Sequence, residues 1–289
     1  MNASKERNAI VGGTLYLVAT PIGNMADISE RAVRVLSEVD FVAAEDTRNS
    51  GLLLSRLGIS KPMVSYHEHN KGERGRKIAE RLKDGESCAL ITDAGTPAIS
   101  DPGEDVARLC ADEGIPVTSV PGACACINAL TLSSLSTRRF VFEGFLPTDK
   151  KEKKERLEAL SREERTTVVY EAPHKLKTTL SDLLSYLGDR KVSLCREMTK
   201  LNEEVERTTL SEAVKIYSQK EPRGEYVLVI EGAREEKDSS YPGDILDHIR
   251  MYTSLGEKKM DAIKMAARDR GISKSEAYDM VIKAESAEL

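Results

Sequence analysis

From Thr14 onward, short apolar runs alternate with segments whose apolar residues recur at helical spacing. That alternation marks βαβ units and a largely parallel sheet. Five runs predict strands: Leu15–Ala19, Asp40–Ala44, Met63–Tyr66, Cys88–Thr92 and Ile115–Val120. Between the first two, Ala32, Val33, Leu36 and Val39 share one helix face, and Ser29 stands where an N-cap belongs. Pro102 suits the first position of a later helix, and Gly114 suits its stop.

A second set of elements follows Pro121-Gly122. Phe140–Phe145, Thr166–Tyr170, Val192–Arg196, Val205–Thr209 and Tyr226–Glu231 read as strands, with helices over Lys175–Leu187 and Ser211–Gln219. Two of these strands follow each other closely, so a mixed sheet is expected. The polar stretch Arg234–Ser240 reads as a linker. Beyond it, Asp244–Lys283 is helical by pattern, with Gly271 separating two helices and Ser273 to Glu276 at capping-box spacing. The predicted division is a flexible N-terminus over 1–13, α/β domains over 14–122 and 123–233, a linker over 234–242 and a helical tail over 243–289.

With 289 residues the chain is long enough for about two domains, and 40% hydrophobic with 31% charged residues excludes disordered, collagen-like and disulfide-scaffold classes. No run of about 18 apolar residues occurs, and Met1–Gly12 lacks the apolar stretch of a secretory signal. The expectation is a cytoplasmic protein without a membrane partner. Five cysteines, Cys88, Cys110, Cys124, Cys126 and Cys195, form no CxxC pair and read as reduced core residues. A net charge of -5 argues against binding nucleic acid through bulk charge. Any RNA must be recognised locally.

Three loops at strand ends carry the candidate chemistry. Ala19-Thr20-Pro21-Ile22-Gly23-Asn24 follows the first strand, where a parallel sheet offers its ligand crevice. It is no GxGxxG, and no GxxxxGK[ST] occurs, so dinucleotide and nucleoside-triphosphate readings lose their support. Asp93 to Gly103 (DAGTPAISDPG) follows the fourth strand; its small residues admit a ligand to the backbone, and Ser100 or Asp101 can cap the next helix. Pro121-Gly122-Ala123-Cys124 ends the fifth strand at the domain junction. The first and third alone read equally well as turns, whereas capping accounts for Ser100 to Pro102 but not for Asp93 to Pro97. Together on one sheet edge they predict a pocket.

ATPIGN, Ala44-Glu-Asp-Thr-Arg48, DAGTPAISDPG, PGACA, Phe140 to Pro147 (FVFEGFLP), Tyr170-Glu171-Ala-Pro-His174, Arg196-Glu-Met-Thr-Lys200 and Gly224-Glu225 occur in this order. In these motifs, over about Thr14 to Gly232, the chain closely resembles the bacterial small-subunit rRNA cytidine 2'-O-methyltransferases of the tetrapyrrole-methylase-like superfamily. The resemblance implies two α/β domains of the class III methyltransferase fold with a small helical appendage. It also implies S-adenosylmethionine in the cleft between domains, a homodimer, and a cytidine ribose in the decoding region of 16S rRNA as acceptor, within the small ribosomal subunit. Carried over by position, the cofactor-binding candidates are Pro21, Ile22, Gly95, Thr96, Ile99, Ala123, Cys124, Glu171, Ala172 and Gly224. The superfamily often has Gly-Asp-Pro where this chain has Gly95-Thr96-Pro97. The family pattern also has Ser at 172 and Arg at 175, where this chain has Ala172 and Lys175; Lys lacks the bidentate fork of Arg.

Methyl transfer from a sulfonium asks the protein to position the acceptor, exclude water and help remove the ribose proton, and it needs no metal. Glu45, Asp46 and Arg48 lie just past a strand end, facing the expected crevice: a carboxylate to take the proton, a guanidinium to hold a phosphate, or else an ion pair and helix cap. Glu197 and Lys200, beside Arg196, form a second catalytic candidate cluster, in which Lys200 stabilises a developing alkoxide or the group is a surface ion-pair network. His67 and His69 share a strand face without a third ligand of zinc geometry. Arg138, Arg139 and the Lys150–Lys154 stretch are candidates for a phosphate-binding rim, although basic and acidic residues nearly balance from Asp149 to Arg165. In the tail, Met260, Ile263 and Ala267 share a helix face before the turn at Gly271, and Ala277 and Val281 follow. That pattern suits a helix-turn-helix, a dimer-packing element or a purely structural one. Two other functions fit the same loops: a methylase of tetrapyrroles or another acceptor, and a non-enzymatic ribosome-assembly factor with an empty cleft.

Overall fold

Leu15–Val18 (β1), Phe41–Ala44 (β2), Met63–Ser65 (β3), Cys88–Ile91 (β4) and Val117–Val120 (β5) pair into one sheet in the order β3-β2-β4-β1-β5. Every pairing in it is parallel. Parallel neighbours need crossover connections. Helices α1 (Glu30–Glu38), α2 (Thr47–Arg56), α3 (Lys71–Lys83) and α4 (Glu104–Asp112) supply them. Alternate residues of each strand go to opposite cores: Leu15, Phe41, Ala43 and Leu90 to one, Tyr16, Val42, Ala44 and Ile91 to the other. Both faces are covered, so β2 and β4 are buried throughout and read as unbroken apolar runs.

The computed structural model describes residues 9–233 and 243–287, so most of the expected flexible N-terminus and the expected linker over 234–242 lie outside the described residues. Where the N-terminal segment is described, it is anchored. The Gly13 N–H donates to Gly85 O and Glu86 O, and the Val11 N–H to Tyr16 Oη. Ser29 caps α1 as expected, its Oγ accepting from the Ala32 N–H at 3.1 Å. The start of α4 differs from expectation. Neither Ser100 nor Asp101 caps it and Pro102 is not its first residue; the N-cap is Gly103, at φ +146°. A Cβ there would stand 3.0 Å from the Ala98 backbone nitrogen, so the preceding loop folds against this residue and delays the helix.

Five further strands form the second sheet: Phe140–Phe145 (β6), Thr166–Glu171 (β7), Lys191–Arg196 (β8), Glu204–Thr209 (β9) and Tyr226–Ile230 (β10). Their order is β6-β7-β10-β8-β9, with β6 and β7 parallel and the other pairs antiparallel. The expected mixed sheet is present. Helix α5 (Ala125–Leu132) packs on one face with Val168, Cys195 and Val229. Helices α6 (Lys150–Leu160), α7 (Pro173–Leu187) and α8 (Leu210–Gln219) cover the other, around Leu176, Leu180, Leu194 and Leu228. The register of β6 shifts at a bulge between Phe142 and Gly144. There Gly144 lies so near Ser100 that a Cβ would stand 2.8 Å from its Oγ.

The chain divides into units Met1–Ala233 and Arg234–Leu289. Among its described residues the second holds three helices rather than two: α9 (Ile245–Ser254), α10 (Lys259–Arg270) and α11 (Lys274–Ala287). Gly271 ends α10 in the left-handed region, as expected, but Gly256 at φ +95° makes an additional break that the apolar periodicity hides. Ile249, Ile263, Ala267, Ala277 and Val281 form its core, whereas Met260 is exposed. The Ser273 Oγ accepts from the Glu276 N–H at 3.1 Å, as the capping-box spacing predicts. Among the described residues no helix is long and apolar enough to cross a membrane.

Leu180 is fully buried in the core between α7 and the second sheet. Leu180→Ala should cost about 2–5 kcal/mol in urea denaturation. A loss below about 1 kcal/mol would show a site able to collapse around the missing side chain.

Candidate functional site

The three loops predicted from the sequence meet at the carboxyl edge of the first sheet and are tied to one another. Thr20 and Gly95 exchange backbone hydrogen bonds of 2.8 and 3.1 Å, joining the first loop to the second. The Thr96 hydroxyl donates to Ala123 O at 2.9 Å, joining the second to the third. Thr96 thus spends its hydroxyl on the protein. Gly95, at φ +85°, adopts a conformation that L side chains avoid, and a Cβ would press on Ile22 at 3.3 Å.

Facing these loops across a cleft of about 400 Å³ are the ends of β6, β7, β8 and β10. The first side contributes Ile22, Gly95, Thr96, Ile99 and Cys124 from the candidates, together with Ala94, Ser100, Asp101 and Ala125. The second contributes Glu171, Ala172, Glu197 and Lys200 from the candidates, with Phe145, Tyr170, Pro173, Met198, Glu225, Tyr226 and Val227. Pro21, Ala123 and Gly224 stand behind this lining. Ala123 offers its carbonyl to Thr96. Gly224, at φ +79°, makes room for Glu197, whose Cγ would lie 2.5 Å from an added Cβ.

Backbone strain is concentrated here. Among the described residues five non-glycine positions have positive φ, and Ala98, Ser100, Glu197 and Thr199 all lie in the two loops that flank the cleft. Such positions cost on the order of 1–3 kcal/mol each and persist where surrounding structure fixes them, commonly at ligand sites.

The carboxylates beside the cleft divide by their partners. Lys200 Nζ binds Glu197 Oε1 at 2.9 Å and Glu225 Oε2 at 2.7 Å. Burial alone would lower the lysine, but its hydrogen bonds to Glu225 and Glu197 carry it above the usual range, so it stays an ammonium. Its hydrogen bond holds Glu197 low; the Glu225 N–H, 3.0 Å from Glu197 Oε1, adds to this. Glu171 is buried and held by the Ala172 N–H at 2.8 Å and the Thr179 hydroxyl at 2.5 Å. Among the described residues Asp101 has no cationic partner of this kind. Burial, then repulsion from Glu45 and Asp93, pushes its carboxyl up to about 7.

The Glu45-Asp46-Arg48 cluster is not in the cleft lining, contrary to the expectation that it faces the crevice. Asp46 caps α2, its Oδ1 accepting from the Arg48 N–H at 2.8 Å, and its carboxylate pairs with the Arg48 guanidinium at 2.7 Å. That hydrogen bonding holds Asp46 down at about 2 and leaves Arg48 88% exposed. Glu45 is half-buried, and burial followed by the neighbouring Asp93 raises it. His67 and His69 lie beyond β3 rather than on a strand, their rings 6.0 Å apart. Asp101 is the residue that sequence reasoning set aside: its place before a helix suggested a cap, and only the loop's close fold against Gly103 turns it into the cleft.

Asp101 gives a pH test with a definite sign. Its folded pKa lies above the unfolded value, so the native state holds an extra proton between about 4 and about 7, and stability falls as pH rises through that window. Asp101→Asn removes this dependence. The melting temperature of the variant relative to the parent should therefore rise between about pH 5 and about pH 8. A constant difference would show an ordinary, solvated carboxyl.

Residues 14–214 match the family Tetrapyrrole (Corrin/Porphyrin) Methylases. A protein of Halalkalibacterium halodurans named ribosomal RNA small subunit methyltransferase I is 45% identical over 275 residues, 93% of this chain and 94% of its own length. One of the same name from Bacillus subtilis is 46% identical over 272 residues, covering 92% and 93%. Among solved structures, uroporphyrin-III C-methyltransferase from Thermus thermophilus complexed with S-adenosyl homocysteine superposes with a TM-score of 0.53 at 18% identity. That match covers 75% of this chain and 96% of the other. Diphthine synthase does so with a TM-score of 0.57 at 15% identity, over 75% and 89%. At such identities the structures speak for the fold alone. The chain belongs to the tetrapyrrole methylase family and, within it, to the group whose curated members are named ribosomal RNA small subunit methyltransferase I.

Proposed function

We propose that the chain is an S-adenosylmethionine-dependent methyltransferase of small-subunit rRNA, acting on the ribose 2'-oxygen of a cytidine in the decoding region, in the cytoplasm and as a homodimer. The observation that carries the reading is the cleft itself: strained loops of two sheets enclose about 400 Å³ beside one partnerless carboxyl and one fixed ammonium. Relatives that match more than nine-tenths of the chain and are named for methylation of small-subunit rRNA support the choice of acceptor.

The lining fits such a donor. Ile22, Ile99, Phe145, Met198 and Val227 offer apolar walls for a base and a thioether chain. Gly95, Ala172 and Ala94 leave backbone groups approachable for its ribose and amino-acid ends. When bound, the donor supplies a methyl carbon already activated by its sulfonium charge. The protein then has to orient the hydroxyl, keep water out and receive a proton. Asp101 is the carboxyl suited to that proton, since a base with a pKa near neutrality combines availability with driving force. Lys200, held cationic between Glu197 and Glu225, can offset negative charge developing on the acceptor oxygen. Outside the cleft, the exposed guanidinium of Arg48 is placed to meet a phosphate, as are Arg138 and Arg139.

The test is labelled donor offered in parallel to small ribosomal subunits, naked 16S rRNA and a uroporphyrinogen, with mass mapping of ribose methylation in the RNA. Label should enter a single cytidine ribose in the RNA and not the macrocycle. Asp101→Asn should lower the single-turnover rate by roughly 10²–10⁴ while donor affinity changes only a few-fold. Label in the macrocycle alone would overturn the acceptor, and an undiminished rate in the variant would remove Asp101 from proton transfer.

A further inference from the structure

The amino end of α5 brings two thiols together in the cleft wall. Cys124 is the N-cap, with extended backbone at φ −144° and ψ 111°, and Cys126 sits in the first helical turn. The bend between them places their Sγ atoms 3.4 Å apart. Both are free; Cys124 is half-buried and lines the cleft, and Cys126 is buried behind it. Its N–H donates to Tyr170 Oη at 3.0 Å, which fixes the turn. Cys88, Cys110 and Cys195, by contrast, are sealed inside cores, where burial raises each thiol.

We propose that Cys124 and Cys126 form a peroxide-reactive dithiol site, with Cys124 as the attacking thiolate and Cys126 as the resolving thiol. The inference does not depend on which ligand the cleft takes. The thiolate is the reactive form, and helix N-termini and hydrogen-bond donors favour it. The Cys126 contact is the largest influence here and holds the Cys124 thiol well below the usual range, with the Ile127 N–H adding to it. The same contact, then burial, raises Cys126 and keeps it a thiol.

Hydrogen peroxide is the oxidant. The Cys124 sulfur takes one peroxide oxygen, the O–O bond breaks, and the departing hydroxide gains a proton to leave as water, giving a sulfenic acid. The Cys126 sulfur then attacks the Cys124 sulfur, the S–O bond breaks, and a second water leaves with the proton of Cys126. Two thiols are oxidised to one disulfide and one peroxide is reduced to two waters. The sulfur atoms need only close from 3.4 Å to about 2.05 Å, by side-chain rotation.

The experiment titrates the full-length chain with hydrogen peroxide and reads intact mass and fragmented peptides. The parent protein should lose two hydrogens in mass, with a Cys124–Cys126 bond that dithiothreitol reverses, roughly tenfold or more faster than Cys88, Cys110 or Cys195 react. Cys126→Ser should stop at a sulfenic acid on Cys124, captured by dimedone; Cys124→Ser should lose the fast phase. Sulfenic or sulfinic acid on Cys124 of the parent beside an intact Cys126 thiol would overturn the proposal, as would equal, slow oxidation of all five cysteines. Should either variant fold poorly, the peptide map of the parent protein decides alone.

Discussion

The Thr20–Gly95 bridge and the Thr96–Ala123 hydrogen bond hold three loops in one register, and the cleft depends on that register. Loops at the carboxyl ends of parallel strands have no ladder of their own to hold them. Here the backbone of one loop completes the backbone of the next, and a glycine at φ +85° lets the middle one pass close enough to do so. The strain at Ala98 and Ser100 follows from the same constraint, since the chain must turn back against Gly103 before α4 can begin. Precision in the wall is obtained at some cost in local stability, and the two packed cores of the first sheet supply the margin.

Across the cleft the second sheet sets the charge pattern. Lys200 and Asp101 both border the same space, yet one is held charged and the other is driven toward neutrality. The difference lies in their surroundings: two carboxylates reach the lysine, while burial and then repulsion from Glu45 and Asp93 act on the aspartate. A site with one fixed cation and one carboxyl near the midpoint of its titration can receive a proton without first breaking an ion pair. Glu197 and Asp46 cannot do so as readily, since each is already engaged by a cation.

Much of this was legible in the sequence because burial on both faces leaves a plain signature. The ten strands of the described residues fall where they are expected, most of them on apolar runs, with ends displaced by a residue or two, and Ser29 and the Ser273–Glu276 pair cap as their spacing predicts. What escaped depends on tertiary contact. Gly103 displaces the expected caps of α4 through its proximity to Ala98, and Asp101 thereby enters the cleft. For Asp46 and Arg48, charge density past a strand end suits chemistry and capping equally, and the sequence does not reveal that the pair caps α2 outside the cleft lining. Gly256 cut a third helix out of a continuous helical pattern, since a short break hardly disturbs periodicity. The closeness of Cys124 to Cys126 had no sequence signal beyond adjacency, because side chains two apart diverge around a regular helix and meet here through the bend at the N-cap.

The strand order of the second sheet bears on how the molecule is made. β10 is the last of its strands to be synthesised, yet it lies in the middle, between β7 and β8. Until Tyr226–Ile230 emerges, the β6–β7 pair and the β8–β9 hairpin share no hydrogen bonds, whereas every strand of the first sheet has been available since Val120. During translation the amino-terminal half can therefore acquire its final form while the other half remains two separate fragments. The opposing bank of the cleft, with Tyr226 and Val227, arrives only with that closing strand, so a ribosome halted before it would release a nascent chain with half a binding site.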